Sequence, residues 1–312
     1  MQTGSGKPDI PVADAPRGNW VDAFAPDWLK PFARLARWDR PIGFWLLFWP
    51  CAFSLALAAM ADAARGFNWS SALLMFLGAM LMRGAGCTFN DIVDTDIDRK
   101  VERTRARPIP SGLVTREYAA GFLSIQLLFG FWVLIQFNLY AILLGAASLV
   151  LVAIYPFMKR ITWWPQLFLG LAFSWGALLG WATEFGGLSL PPLLLYAACI
   201  LWTIGYDTIY ALQDVEDDAL IGVKSTARLF GRRTRMLVTL FYLAAFPLWM
   251  LSGWLAGGRT TFLLASLPAG AILTWQAWTL DGQAPGNALK RFKANHWVGL
   301  TLTLAMLAEG WG

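Results

Sequence analysis

The sequence predicts an all-α integral membrane protein with nine transmembrane helices, and three observations predict it. Of 312 residues, 57% are hydrophobic and 14% charged, against about a quarter charged in soluble domains, so the composition suits lipid as solvent. The apolar residues gather into runs near the length of about 20 that a helix needs to cross the hydrocarbon. The basic residues fall almost wholly in alternate connections between those runs.

Residues 1–19 are rich in Pro, Gly and Asp and read as disordered. From Trp20 to Trp38, Phe24, Trp28, Phe32 and Leu35 recur at helical spacing with Lys30, Arg34 and Arg37 opposite, which predicts one short helix lying on the cytoplasmic face. Residues 1–38 thus form a polar N-terminal segment with an interfacial helix, and 39–312 form one membrane domain. Its expected spans are 41–61, 72–90, 118–137, 139–158, 163–183, 193–213, 236–256, 260–280 and 295–311. The first carries no charge; the third and fourth are parted only around Asn138; the last is short.

Charge orients these spans. Arg34, Arg37 and Arg40 precede the first, six basic residues from Arg99 to Arg116 follow the second, and Lys159 and Arg160 follow the fourth. Lys224, Arg228, Arg232, Arg233 and Arg235 follow the sixth, and Lys290, Arg291 and Lys293 precede the ninth; the other loops hold only Arg65 and Arg259. Nine spans with a cytoplasmic N-terminus put every basic loop in the cytoplasm. This distribution explains the net charge of +5 without a nucleic-acid partner. Residues 1–30 lack an apolar core and the acid-poor, Arg-rich look of a mitochondrial presequence, so a bacterial inner membrane is expected.

Cys51, Cys87 and Cys199 lack metal-ligand spacing and read as packing residues. His296 is the only histidine, which excludes Ser-His-Asp and Cys-His catalysis and His-rich metal sites.

Half of the 20 acidic residues sit in two short stretches at cytoplasmic helix ends. In the first, Asp91, Asp94 and Asp98 follow an i, i+3, i+7 pattern and share a helical face, with Asn90 one turn before Asp94. In the second, Asp207, Asp214 and Asp218 are spaced i, i+7, i+11, again one face. Asp96, Glu216 and Asp217 point elsewhere and read as solvated. Carboxylates stacked on one face repel unless a cation is present, and oxygen ligands without His or Cys favour Mg²⁺ or Ca²⁺. EF-hand spacing is missing. Two such clusters suit about two Mg²⁺ with a diphosphate between them, because Mg²⁺ takes few carboxylates and completes its shell with water and phosphate. The bland alternative is a pair of charged loops.

Diphosphate also needs basic partners, for which Arg103, Arg107, Lys159 and Lys224 lie near; topology alone also accounts for cytoplasmic arginines and lysines. Arg83 differs, because it interrupts an apolar span about 10 Å deeper than Asn90. An intramembrane Arg faces a polar cavity or partner, so it suits either a substrate carboxylate or a salt bridge to a neighbouring helix. Among the 18 Trp, 21 Phe and 7 Tyr, most serve the interface or packing, and a few are suited to stabilising an allylic cation.

From Arg37 onward the residues resemble the UbiA superfamily of intramembrane prenyltransferases, most closely its 4-hydroxybenzoate polyprenyltransferase branch of ubiquinone biosynthesis. The resemblance rests on Asp39-Arg40-Pro41-Ile42-Gly43, Arg83-Gly84-Ala85-Gly86-Cys87, and NDxxDxxxD at Asn90, Asp91, Asp94 and Asp98. It continues in RTxxRPxPSG from Arg103 to Gly112, in YxxxK at Tyr155 and Lys159, and from Tyr206-Asp207 through Asp214 and Asp218 to Thr226. Ala106 beside Arg105 departs from the Ala-Asn that relatives often carry there. The resemblance implies a UbiA-like fold of nine helices around a central cavity. It implies Asn90, Asp91, Asp94, Asp98, Asp207, Asp214 and Asp218 as ligands of Mg²⁺–diphosphate, with Asp94, Asp207 and Asp214 catalytic. Arg107, Lys159, Tyr155 and Arg103 would contact diphosphate oxygens; Arg83, and more weakly Arg40, would hold the aromatic carboxylate. Ionisation of the prenyl C1–O bond, attack by the ring carbon ortho to the phenol and loss of a proton would follow, with Asp207 accepting a proton from the phenol. Haem, dihydroxynaphthoate, homogentisate or a chlorophyllide are the alternative acceptors. A cation-coupled transporter is the alternative class, but it would place its carboxylates at broken helices near the midplane.

Overall fold

The computed structural model describes residues 18–100 and 104–310. Most of the polar start, Arg103 and the last two residues therefore lie outside the described chain. In order, the helices are α1 (Trp20–Phe24), α2 (Lys30–Leu35), α3 (Ile42–Ala61), α4 (Trp69–Asp98), α5 (Arg116–Leu134), α6 (Leu139–Ile161), α7 (Pro165–Phe173) and α8 (Gly176–Phe185). There follow α9 (Leu190–Ala211), α10 (Val215–Leu220), α11 (Thr226–Phe230), α12 (Thr234–Leu255), α13 (Thr260–Ala265), α14 (Leu267–Trp278) and α15 (Pro285–Gly310). No strand occurs among the described residues.

Seven segments are long and apolar enough to cross a membrane: Ile42–Ala61, Trp69–Asp98, Arg116–Leu134, Leu139–Ile161, Pro165–Phe185, Leu190–Leu220 and Thr226–Leu255. The expected count of nine is not reached by this measure. The eighth segment is divided at Ser266, whose Oγ donates to the Phe262 carbonyl at 2.8 Å, and Pro268 in the next turn has no N–H to continue the ladder. The ninth, α15, starts ten residues earlier than expected and takes Lys290, Arg291 and Lys293 into the helix, which lowers its apolar character.

Two compact units form. One holds the described residues up to Pro41 together with Leu81–Leu128. Its core is Leu35, Ile109, Val114 and Ala119, with Phe32, Ile92 and Phe122 against them. The expected single interfacial helix is two, α1 and α2. Ala25 is extended (ψ 139°) because it precedes Pro26, a position disfavoured in a helix, and α2 restarts with Pro31 in its first turn. The expected facing is also corrected. Phe24 (84% exposed) and Trp28 (72%) lie outside, while Arg34 and Arg37 are buried because each has a carboxylate partner.

The other unit holds Ile42–Met80 and the described chain from Phe129 onward. Trp49, Phe53, Trp202, Tyr206, Trp249 and Phe262 fill its core. Asn138 caps α6 through its side chain and also donates to the carbonyls of Ala182 and Thr183 in the last turn of α8. Buried polar groups tie four helices together: Trp202 Nε1 donates to Asn295 Oδ1 at 2.7 Å, and Asn295 and Tyr242 both donate to Gln276 Oε1. In this unit the outer faces of α5, α6 and α12 expose Phe129, Trp132, Leu143, Val150 and Leu243, an apolar surface that only lipid solvates well. This is an integral membrane protein.

In this unit α3 and α8 approach closely through small residues. Ser54 Oγ donates to the Ala177 carbonyl at 2.6 Å and accepts from Trp181 N at 2.7 Å. A Cβ at Gly180 would stand 2.7 Å from Ser54 Cβ, and one at Gly176 would stand 2.9 Å from Cys51 N. Without a hydrophobic force between helices in lipid, such close backbone packing carries the association. Gly180→Leu is expected to destabilise by about 1–3 kcal/mol, read as a melting temperature lowered by several degrees in detergent. An unchanged midpoint would refute this packing.

Candidate functional site

The first carboxylate motif lies on the last three turns of α4, which runs unbroken from Trp69 to Asp98 because it holds no proline. Asp91, Asp94 and Asp98 are 0%, 0% and 5% exposed, whereas the Asp96 side chain is 74% exposed. The i, i+3, i+7 reading of one shared face therefore holds. Asn90 is half-buried beside them, and Asp96 makes surface pairs with Arg99 and Arg116.

Two arginines meet this buried face. Arg37 Nη2 contacts both oxygens of Asp91, at 2.7 and 2.9 Å, and its Nη1 donates to the Arg34 carbonyl. Arg107 Nη1 lies 3.2 Å from Asp91 Oδ1 and 2.9 Å from Asp98 Oδ2. Buried charges need such partners, since desolvation is otherwise prohibitive. Arg107 is placed by its own loop: Thr104 Oγ1 donates to the Asp98 carbonyl, Ser111 N to the Arg107 carbonyl and Val114 N to the Pro108 carbonyl. Gly112 (φ 76°) supplies the left-handed turn that closes this loop, and Ile109 and Val114 sink into the core.

Arg37 is the residue on this face that the sequence did not signal. It stood there as a topology charge on a solvated face. Its φ of 58° makes it the one described non-glycine residue in the left-handed region, a conformation that no spacing signals.

Arg83 sits half-buried on α4, two turns before Asn90. One turn from it, Gly86 has no atom within 4 Å of the position a Cβ would take, so space opens beside this stretch of helix. Arg40, the weaker candidate, is engaged by its neighbour, with Nη2 2.9 Å from Asp39 Oδ2.

The second motif is arranged differently from the sequence reading. That reading assumed one unbroken helix through Asp207, Asp214 and Asp218. In fact α9 ends at Ala211, Leu212–Asp214 tighten into a 3₁₀ turn, and α10 begins at Val215. A 3₁₀ turn has three residues rather than 3.6, so the i, i+7, i+11 alignment does not carry through. All three aspartates are half-buried, as is Asp217, which was expected to be solvated.

The same unit brings basic groups to the end of this motif. Lys224 N donates to the Lys159 carbonyl at 2.9 Å, and Lys224 Nζ donates to the Ile161 carbonyl at 3.0 Å. This fastens the segment after Asp218 to the C-terminal turn of α6, where Tyr155 and Lys159 lie one turn apart and half-buried. Arg228 Nη1 donates to the Asp218 and Val223 carbonyls. Thr226 N donates to Gln166 Oε1, and the Thr226 hydroxyl lies 2.6 Å from that of Thr208, which joins α11 to α7 and α9.

Among the described residues no three His, Cys, Asp or Glu side chains converge on a single metal position. The donor set is all oxygen, and an all-protein cage is absent from it. Such a set fits a cation that takes one or two carboxylates and completes its shell from a phosphate ligand. The three cysteines are free and buried, as packing residues are.

The UbiA prenyltransferase family matches residues 47–299. The chain is 46% identical over 282 residues to the mitochondrial 4-hydroxybenzoate polyprenyltransferase of Arabidopsis thaliana, covering 90% of this chain and 69% of that one. It is 49% identical to the protein of the same description from Drosophila melanogaster, covering 89% and 71%. Among solved structures, a UbiA homolog from Aeropyrum pernix K1 superposes with a TM-score of 0.69 at 25% identity, covering 83% of this chain and 96% of that one. A UbiA homolog from Archaeoglobus fulgidus bound to GPP and Mg²⁺ gives 0.68 at 18% identity, covering 89% and 99%, and supports the fold alone. With four-fifths of its length matched by the family pattern, the motifs in place and close relatives across nearly its whole length, the chain belongs to the UbiA prenyltransferase family.

Proposed function

We propose that the protein transfers a polyprenyl chain from polyprenyl diphosphate to the ring carbon ortho to the hydroxyl (C3) of 4-hydroxybenzoate, releasing diphosphate, as a step of ubiquinone biosynthesis. The observation that carries this reading is the buried face of Asp91, Asp94 and Asp98, which Arg37 and Arg107 meet. Three carboxylates desolvated on one helix are costly without cations, and a substrate that brings Mg²⁺ supplies them.

Asn90, Asp91, Asp94 and Asp98 are assigned to one metal–diphosphate cluster, and Asp207, Asp214 and Asp218 to the other. Arg107, Lys159, Tyr155 and Arg103 are assigned to the diphosphate oxygens, and Arg83, with Arg40 secondary, to the carboxylate of the acceptor. When bound, Mg²⁺ neutralises charge on the leaving diphosphate. The C1–O bond breaks with its electron pair going to diphosphate, and the ring carbon ortho to the phenol bonds to C1 and loses its proton. Asp207 is assigned to accept the phenol proton during attack; a proton returns to that oxygen as the ring carbon loses its own, so one proton is released in all. Apolar helices exclude the water that would quench an allylic cation. The carboxylates of both motifs lie at the ends of α4 and α9 rather than at the breaks between α7 and α8 or between α13 and α14, which counts against the transporter reading.

The topology we favour has nine crossings of a single membrane domain from residue 39, with α13–α14 and α15 as the eighth and ninth, because only then do all basic loops share one side. The relatives named mitochondrial support a mitochondrial membrane over the bacterial inner membrane expected from the sequence. Fractionation of the source cell separates the two.

The test is a reaction of the purified protein in lipid with geranyl diphosphate and labelled 4-hydroxybenzoate, with and without Mg²⁺. A Mg²⁺-dependent 3-geranyl product is expected. Diphosphate release without that product would move the acceptor to haem, dihydroxynaphthoate or homogentisate. Arg83→Ala is expected to raise KM for the aromatic acid about 10- to 100-fold, the worth of a charge-assisted hydrogen bond, with KM for the prenyl donor little changed. Equal effects on both would assign Arg83 to structure or to diphosphate.

A further inference from the structure

A groove of about 760 Å³ runs between α14 and α15 in the second unit. Ile272, Trp275, Leu289 and Trp297 give it an apolar lining, and Lys290 and Lys293 line its α15 side between Leu289 and Trp297. Lys290 and Lys293 are three apart and share a helical face; both are exposed. Among the described residues neither forms an ion pair, and the nearest basic group, Arg291, is spent on α14, with Nε on Thr279 Oγ1 and its guanidinium 4.4 Å from the Trp275 ring. A Cβ at Gly286 would meet nothing within 4 Å, which leaves the groove open one turn before Lys290. The two tryptophans are 39% and 56% exposed.

From this arrangement we infer that the α14–α15 groove is a binding site for one anionic phospholipid, its phosphate on Lys290 and Lys293 and an acyl chain along Ile272 and Trp297. The inference rests on the proposed topology, which puts the start of α15 at the cytoplasmic headgroup layer. Three features fit a lipid rather than a soluble anion. The two lysines fall at interfacial depth, Trp275 and Trp297 are amphipathic rings that favour that depth, and the lining continues one turn inward from Lys293 to Trp297. A zwitterionic lipid would leave the two ammonium charges uncompensated.

The test is native mass spectrometry of the full chain released from bilayers of phosphatidylcholine containing phosphatidylglycerol. One retained phosphatidylglycerol is expected for the wild type. Lys290→Gln/Lys293→Gln is expected to weaken retention about thirtyfold, from two juxtamembrane charges. Arg232→Gln/Arg233→Gln removes the same charge from another exposed pair and is expected to retain the lipid. Equal loss in both variants, equal retention in all three proteins, retention of phosphatidylcholine just as well, or displacement by inorganic phosphate would each overturn the site. Unchanged melting temperatures in pure phosphatidylcholine verify that the variants fold. Labelling of Gln283→Cys from the cytoplasmic side tests the topology separately, so that its failure is distinguishable from failure of the lipid site.

Discussion

Asp94→Ala and Asp214→Ala are each expected to reduce turnover about a thousandfold while leaving the protein folded in membranes. Removing a ligand that fixes a metal forfeits several kcal/mol of charge stabilisation in the transition state, and each 1.4 kcal/mol is about a decade in rate. The two residues make the test informative because they lie on different elements. Asp94 is fully buried on an unbroken helix, and Asp214 is half-buried in a 3₁₀ turn. Asp94→Asn keeps the shape and one oxygen, so it is expected to shift the Mg²⁺ requirement upward before turnover is lost entirely. Near-normal turnover by either alanine variant would sink the metal assignment of its cluster.

Arg37→Ala is expected to produce the largest loss of stability, about 3–5 kcal/mol, because it leaves the Asp91 carboxylate buried with one arginine fewer. Two comparisons isolate the cause. Arg37→Gly removes the same charge but suits a φ of 58°, so it is expected to melt above Arg37→Ala by an amount equivalent to about 1 kcal/mol. Arg37→Ala/Asp91→Ala removes both charges and is expected to recover part of the loss, as a double-mutant cycle for a coupled pair requires. Melting temperatures in detergent decide it. If Arg37→Ala melts with the wild type, the ion pair does not hold this unit together.

The helices were legible because hydropathy and helical period are local properties. The span expected at 41–61 is α3 almost to the residue, and Asn138 marks the α5–α6 boundary because a single cap residue suffices there. The face shared by Asp91, Asp94 and Asp98 was legible for the same reason: an uninterrupted α-helix turns through a constant angle per residue. Where that constancy fails, the reading fails with it. The Asp207 to Asp218 stretch carries a 3₁₀ turn that no proline or glycine announces. The eighth segment divides at Ser266, where a side chain competes for a backbone carbonyl and a proline follows.

By itself, the sequence determined the fold class, the alternation of basic loops and the placement of both carboxylate motifs at helix ends, since all of these follow from the order of apolar and charged residues along one strand of chain. Tertiary structure alone decided which charges meet. Arg37 and Asp91 are 54 residues apart, and nothing in either segment names the other. Arg34 and Arg37 looked like a solvated face by period, yet they turn inward because each finds a buried or half-buried carboxylate whose pairing outweighs hydration. Periodicity is written by backbone geometry, but the partner of a desolvated charge is chosen by whatever element packs against it.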